Sequence, residues 1–172
     1  MRVLVIYESM FGNTKRIAQA IGDGLSGWAD ATVVDVADAP TEIPADVDIA
    51  IVGGPTHAFS MSRAGTRRDA AHRGGAHTDV PFGIREWLEA QPKGRHEQMF
   101  AAFDTRVHVP LLPGAASRSA TRLAERRGFS TMEPESFLVE GYEGPLVPGE
   151  VERAAQWGTR LAQVLAEWGA TR

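Results

Sequence analysis

The sequence predicts a three-layer α/β/α domain on a five-stranded parallel sheet, which fits the order 2-1-3-4-5. Three observations lead there. Apolar runs of strand length alternate with amphipathic stretches of helix length along the whole chain. The strand runs are near-continuous in apolar residues, as in strands buried on both faces, rather than alternating in and out. The length of 172 residues, with 43% apolar and 23% charged residues, suits one ordinary globular domain spanning 1–172.

The elements follow in order. Val3-Leu4-Val5-Ile6-Tyr7 is a first buried strand, and residues 14–27 place Ile17, Ala18, Ile21 and Leu25 on one helical face. Ala31 to Val36 is a second strand, and Val47 to Val52 a third that ends in Gly53-Gly54-Pro55. Residues 83–90 form a short helix, and Met99 to Phe103 a fourth strand. Ser117 to Arg127 is a helix with Gly128 as its stop. Phe137-Leu138-Val139 is the core of the fifth strand, and Glu150 to Trp168 an amphipathic closing helix. Between the third strand and the short helix, residues 60–82 read as a long, basic loop insertion. It carries Arg63, Arg67, Arg68, His72, Arg73 and His77 against only Asp69 and Asp79. In open sheets of this kind ligands sit beyond the carboxyl ends of the strands, which singles out the loops 8–14, 53–63 and 104–116.

Several functions are disfavoured. A formal net charge of -4 is unlike that of a general nucleic-acid binder. The absence of cysteine removes disulfides, thiolate metal sites and cysteine nucleophiles together. The five histidines, at 57, 72, 77, 96 and 108, lack zinc-site spacing, so no metal is expected. No apolar run approaches the length of a membrane span, and a cytoplasmic location is expected.

The first loop carries the strongest chemical signal. A strand-to-helix turn presents backbone N–H groups at the positive end of a helix dipole, where anions bind. Ser9, Asn13 and Thr14 add side-chain donors, and Gly12 lets the backbone approach an anion without a Cβ. An ordinary turn capped by Asn13 or Ser9 would use the same residues. A P-loop and a G-x-G-x-x-G dinucleotide loop are both absent.

The stretch Tyr7-Glu8-Ser9-Met10-Phe11-Gly12-Asn13-Thr14 resembles the hydroxyl-rich phosphate loop of the flavodoxin family. Ser9, Gly12, Asn13 and Thr14 match that pattern, whereas Phe11 stands where the family often has threonine. Val52-Gly53-Gly54-Pro55-Thr56 is similar to the turn that meets the flavin ring in related domains. Phe103-Asp104-Thr105-Arg106 looks like the start of the third flavin loop in actinobacterial-type members. The resemblance implies a flavodoxin-like fold holding flavin mononucleotide (FMN), with the flavin between strands 1 and 3. It also implies three sets of cofactor-binding residues: Ser9, Met10, Phe11, Gly12, Asn13 and Thr14; Pro55, Thr56, His57, Ala58 and Phe59; and Asp104, Thr105 and Arg106. No catalytic side chain is assigned.

The family usually flanks its flavin with tryptophan or tyrosine. The tryptophans here, at 28, 87, 157 and 168, all fall in expected helices, and Tyr7 and Tyr142 lie in or near strands. The ring is therefore expected to meet His57, Phe59, Phe82, His108 or aliphatic side chains. A stacked aromatic is worth about 0.5–1.5 kcal/mol beyond its area, so its loss weakens binding up to about tenfold.

His57 reads either as a group that tunes a flavin near neutral pH or as a surface loop histidine. Lys15 and Arg16 read as solvent-facing, and Asp104 as shaping its loop. The basic 60–82 segment fits a lid, a docking surface for an acidic partner, or a solvated loop. The expected function is an FMN-binding electron-transfer protein serving a redox partner protein or a small quinone-like substrate. The alternatives are an FMN-dependent oxidoreductase, of quinone or protoporphyrinogen oxidase type, and a module that kept the fold without flavin.

Overall fold

The structure is a computed structural model that describes residues 1–74, 82–108 and 113–170, with side chains to residue 167. Strands β1 (Arg2–Tyr7), β2 (Asp30–Asp35), β3 (Ile49–His57) and β5 (Met99–Val107) pair in parallel in the order β2-β1-β3-β5. The far edge beside β5 is shared by two short strands. β6 (Ser130–Thr131) pairs with Met99 and Phe100, and β7 (Glu135–Val139) pairs with Phe103 to Val107. Counting that divided edge as one strand gives the expected 2-1-3-4-5 path. Residues 132–134 interrupt it, so the apolar signal at 137–139 marked only its second half.

Helices cover both faces. Helices α1 (Asn13–Leu25) and α5 (Glu150–Ala170) pack on one side around Ile17, Ile21, Phe103, Phe137, Trp157 and Leu161. Helices α3 (Ile84–Ala90) and α4 (Ala116–Arg127) cover the other around Ile6, Val52, Trp87, Phe100 and Leu123. Strand residues alternate between these layers, which is why nearly every one of them is apolar. Gly128 ends α4 at φ +101°, as its position after the helical pattern predicts.

Two expectations need correction. The segment 60–82 is not a loop throughout: Ser60–Met61 form strand β4, a hairpin arm against Thr56 and His57, and Ala64–Arg73 form helix α2. The helical pattern is hard to read because α2 has little apolar face; only Arg67, Ala70 and Ala71 are buried. His77 and Asp79 lie outside the described residues. Trp28 lies in the turn after α1 rather than in a helix, and is half exposed.

Candidate functional site

The chain leaves β1 at Tyr7 and enters α1 at Asn13 through a tight turn. Gly12 holds φ +88°, in the left-handed region that costs a side-chain-bearing residue about 1–2 kcal/mol. It is the N-cap of α1 and has no side chain with which to cap it. Ser9 Oγ accepts the Gly12 N–H at 3.1 Å, so this serine closes the loop instead of capping the helix. Neither Asn13 nor Ser9 takes the cap position, and no acid occupies the first turn. The positive end of α1 is left open to an anion.

Thr14 is buried, and its hydroxyl lies 2.7 Å from that of Thr105 at the end of β5. One of the two donates; the acceptor keeps its own proton. Asn13 donates its side-chain N–H to the Glu143 carbonyl at 2.8 Å. Gly144 holds φ +107°, and a Cβ there would fall 2.6 Å from that side chain, so glycine suits the turn that closes on the first loop.

This closure brings in a residue that the sequence reading set aside. The ring of Tyr142 meets Phe11 edge-on at 5.7 Å and faces His57 at 6.5 Å with a tilt of 30°. The Arg73 guanidinium, at the end of α2, sits 5.4 Å from the same ring. The site therefore has a tyrosine beside it after all. Carboxyl-end loops were the place to look, and the loop after the fifth strand belonged with the other three.

Alternation along the strands sorts the remaining predicted residues. Pro55, His57 and Thr105 line a small pocket with Ser9, Met10, Phe11, Asn13, Thr14, Val139 and Tyr142. Its volume is about 40 Å³, room for about three waters. Thr56 faces away, its hydroxyl accepting the Ala116 N–H at 2.9 Å. Asp104 also faces α4 and accepts the Ser117 N–H at 2.9 Å, acting as a remote cap. Its other oxygen, Oδ1, is buried without a hydrogen bond of ordinary geometry. Burial pushes this carboxyl above the usual range, with Ser117 and Ser136 offsetting part of that. Arg106 reaches the Gly114 carbonyl at 3.4 Å. Ala58 and Phe59 form the exposed tip of the β3–β4 hairpin, at φ +46° and +66°.

His57 is not a surface histidine. It is 9% exposed, and its Nδ1 lies 3.3 Å from Thr66 Oγ1. Burial, reinforced by the Arg67 charge, holds its pKa below the ordinary histidine value, so the ring is neutral at pH 7. Lys15 and Arg16 face solvent, as expected.

Behind the site is a buried polar cluster that the sequence did not announce. Ser62 Oγ donates to Glu8 Oε1 at 2.5 Å and accepts from Arg67 Nη1 at 2.8 Å. Glu8 Oε2 accepts the Ile84 N–H at 3.0 Å, and Arg67 Nη2 pairs with Glu86 at 3.0 Å. Burial raises the pKa of Glu8. The cluster ties the end of β1 to α2 and α3. Arg67 read as one more loop arginine, although its side chain is fully buried.

A larger cavity, about 410 Å³, lies at the opposite, amino end of the sheet among Met1, Trp28, Asp48, Glu97 and Met99. None of the predicted loops reaches it. No described helix is long and apolar enough to cross a membrane, and the described residues hold no cluster of metal-ligating side chains.

The sheet order and the helices on both faces make this a flavodoxin-like fold. Residues 4–65 match the model of the flavodoxin domain family. No curated protein matches the chain in sequence. Among solved structures, an archaeal flavodoxin is similar over 96% of this chain and 99% of its own, at 20% identity and a TM-score of 0.64. A Streptococcus pneumoniae flavodoxin covers 95% and 99% at 16% identity and 0.66. Flavodoxin 1 of Bacillus cereus covers 95% and 98% at 19% identity and 0.63. At these identities the likeness is one of fold, and the family's sequence pattern is confined to the segment that holds the first loop.

Proposed function

We propose that this protein binds FMN through its first loop and carries electrons on it. The observation that carries this reading is the open start of α1, with Gly12 in the left-handed region and no side-chain cap. A phosphate there accepts from first-turn N–H groups, with Asn13 and the Thr14–Thr105 hydroxyl pair as neighbours. Bound FMN supplies the one- and two-electron chemistry, while the chain holds the phosphate, orients the ring and sets the polarity around it.

The flanks for a flavin ring are His57 and Tyr142, 6.5 Å apart. A plane between two rings needs about 7–8 Å, twice a carbon–carbon contact distance. Tyr142, exposed on its turn, has about 1 Å to move outward. His57 brings no positive charge at neutral pH, so it favours no anionic form of the ring.

Purified protein mixed with FMN is expected to keep flavin absorbance in its own peak on gel filtration. Free flavin alone, at high micromolar FMN, overturns the reading. With FMN bound, a carrier shows no steady-state turnover of NAD(P)H with a quinone, whereas an FMN-dependent oxidoreductase does.

A further inference from the structure

A third cavity lies on the other side of the β3–β4 hairpin, between its tip and the first turns of α4. Its volume is about 300 Å³, at the small end for a ligand pocket. We infer that it is a binding site for a small aromatic anion, a phosphate or carboxylate carried on a planar ring.

The polar side chains that line it are donors. Arg118 and Arg122 stand one helical turn apart on α4, and both are exposed. Neither has an ion pair or a side-chain hydrogen bond among the described residues. Two like charges at this spacing repel, and no acid among the described residues lines the cavity to balance them. Ser119 completes the set. Arg85 Nη2 donates to Ser60 Oγ at 3.1 Å, and Ser60 Oγ donates to Ser119 Oγ at 3.0 Å. Ser119 Oγ thus accepts one bond, and its own proton is left to donate. Two guanidinium forks and a hydroxyl proton match the acceptor geometry of a phosphate or carboxylate.

Phe59 supplies the aromatic wall. Its ring is 50% exposed although it belongs to a small domain with a well-filled core. The two-residue turn that carries it has both residues at positive φ, +46° and +66°, a conformation usually given to Asn-Gly. Backbone strain of this kind gathers at ligand sites. The N–H groups of Ala116 and Ser117 are already taken by Thr56 and Asp104. The selectivity therefore comes from the side chains and not from the helix start. The inference does not rest on flavin binding.

The test is titration of the full chain with phenyl phosphate, benzoate and inorganic phosphate, followed by amide NMR and by calorimetry. Shifts at Phe59, Arg118, Ser119 and Arg122 are expected, with either aromatic anion binding at least tenfold tighter than inorganic phosphate. The stronger of phenyl phosphate and benzoate identifies the anionic group. The R118Q/R122Q double variant, exposed and on a helix surface, is expected to keep its circular dichroism and lose at least tenfold in affinity. Three results overturn the inference: shifts confined to residues 9–15, equal affinity in the double variant, or equal affinity for inorganic phosphate. Shifts at these residues with polyglutamate but with none of the small anions also overturn it, and reassign the patch to an acidic protein partner.

Discussion

At the scale of single residues, Gly12, Asp104 and His57 each make a measurable claim. Gly12 has open space around it, so G12A meets no clash and shows only the cost of its backbone conformation. A loss of about 1 kcal/mol in urea unfolding is expected. Asp104 and His57 respond to pH with opposite signs. Burial raises the folded-state pKa of Asp104, so its contribution is full below the ordinary carboxyl value and lost as pH rises through the folded value. D104N keeps an acceptor for Ser117 and removes that loss, so its stability relative to the parent should improve from pH 4 to pH 7. The pKa of His57 is lowered, so its contribution is full above about 6.5 and lost as pH falls through the folded value. H57Q should flatten the stability curve below neutrality while leaving the alkaline side unchanged.

At the scale of elements, the buried cluster and the hairpin are the informative pieces. Removing Arg67 leaves Glu8 and Glu86 facing each other without their cation. R67M is expected to cost about 3–5 kcal/mol, and E8Q/R67M to recover part of it. The hairpin predicts the reverse. Replacing Ala58-Phe59 by Asn-Gly relieves two strained residues, and a gain of about 1–2 kcal/mol is expected from denaturant midpoints. The same change removes the aromatic wall beside Arg118, so stability should rise as affinity for an aromatic anion falls. These pieces also show where the sequence was legible. Strands β1, β3 and β5 stand out because burial on both faces makes them continuously apolar. Helix α2 does not, because its buried face is an arginine and two alanines, and the partners of that arginine, Ser62 and Glu86, lie outside the helix. Arg67 looks like any surface arginine until the fold surrounds it. Tyr142 is hard to place from the sequence because its turn is far from the first loop in the chain, and only the fold brings the two together, through the Asn13–Glu143 bond and the Phe11–Tyr142 ring contact.

At the scale of the whole molecule, ligand binding and folding are linked. If FMN binds only the folded chain, a concentration of 100 times its Kd adds about 2.7 kcal/mol. For a domain of this size that raises the melting temperature by about 5–10 °C, and inorganic phosphate should reproduce only a small part of it. Y142A should lower the FMN affinity up to about tenfold without moving the melting temperature of the free protein, since the ring is half exposed. The two ends of the sheet differ in the same experiment. The larger cavity among Met1, Trp28 and Glu97 lies at the amino end, so substitutions there should leave the FMN shift intact.

Two buried indoles among the described residues, Trp87 and Trp157, give this molecule an optical property of its own. Trp87 is sealed on the α3–α4 side of the sheet and Trp157 on the α1–α5 side. With Trp28 and Trp168 replaced by phenylalanine, each layer reports through one emitter. Removing Trp87 or Trp157 in turn then isolates the other. A single cooperative unit gives two red-shift transitions that coincide in denaturant. Two separate midpoints would show that one coat of helices can come off while the other stays in place.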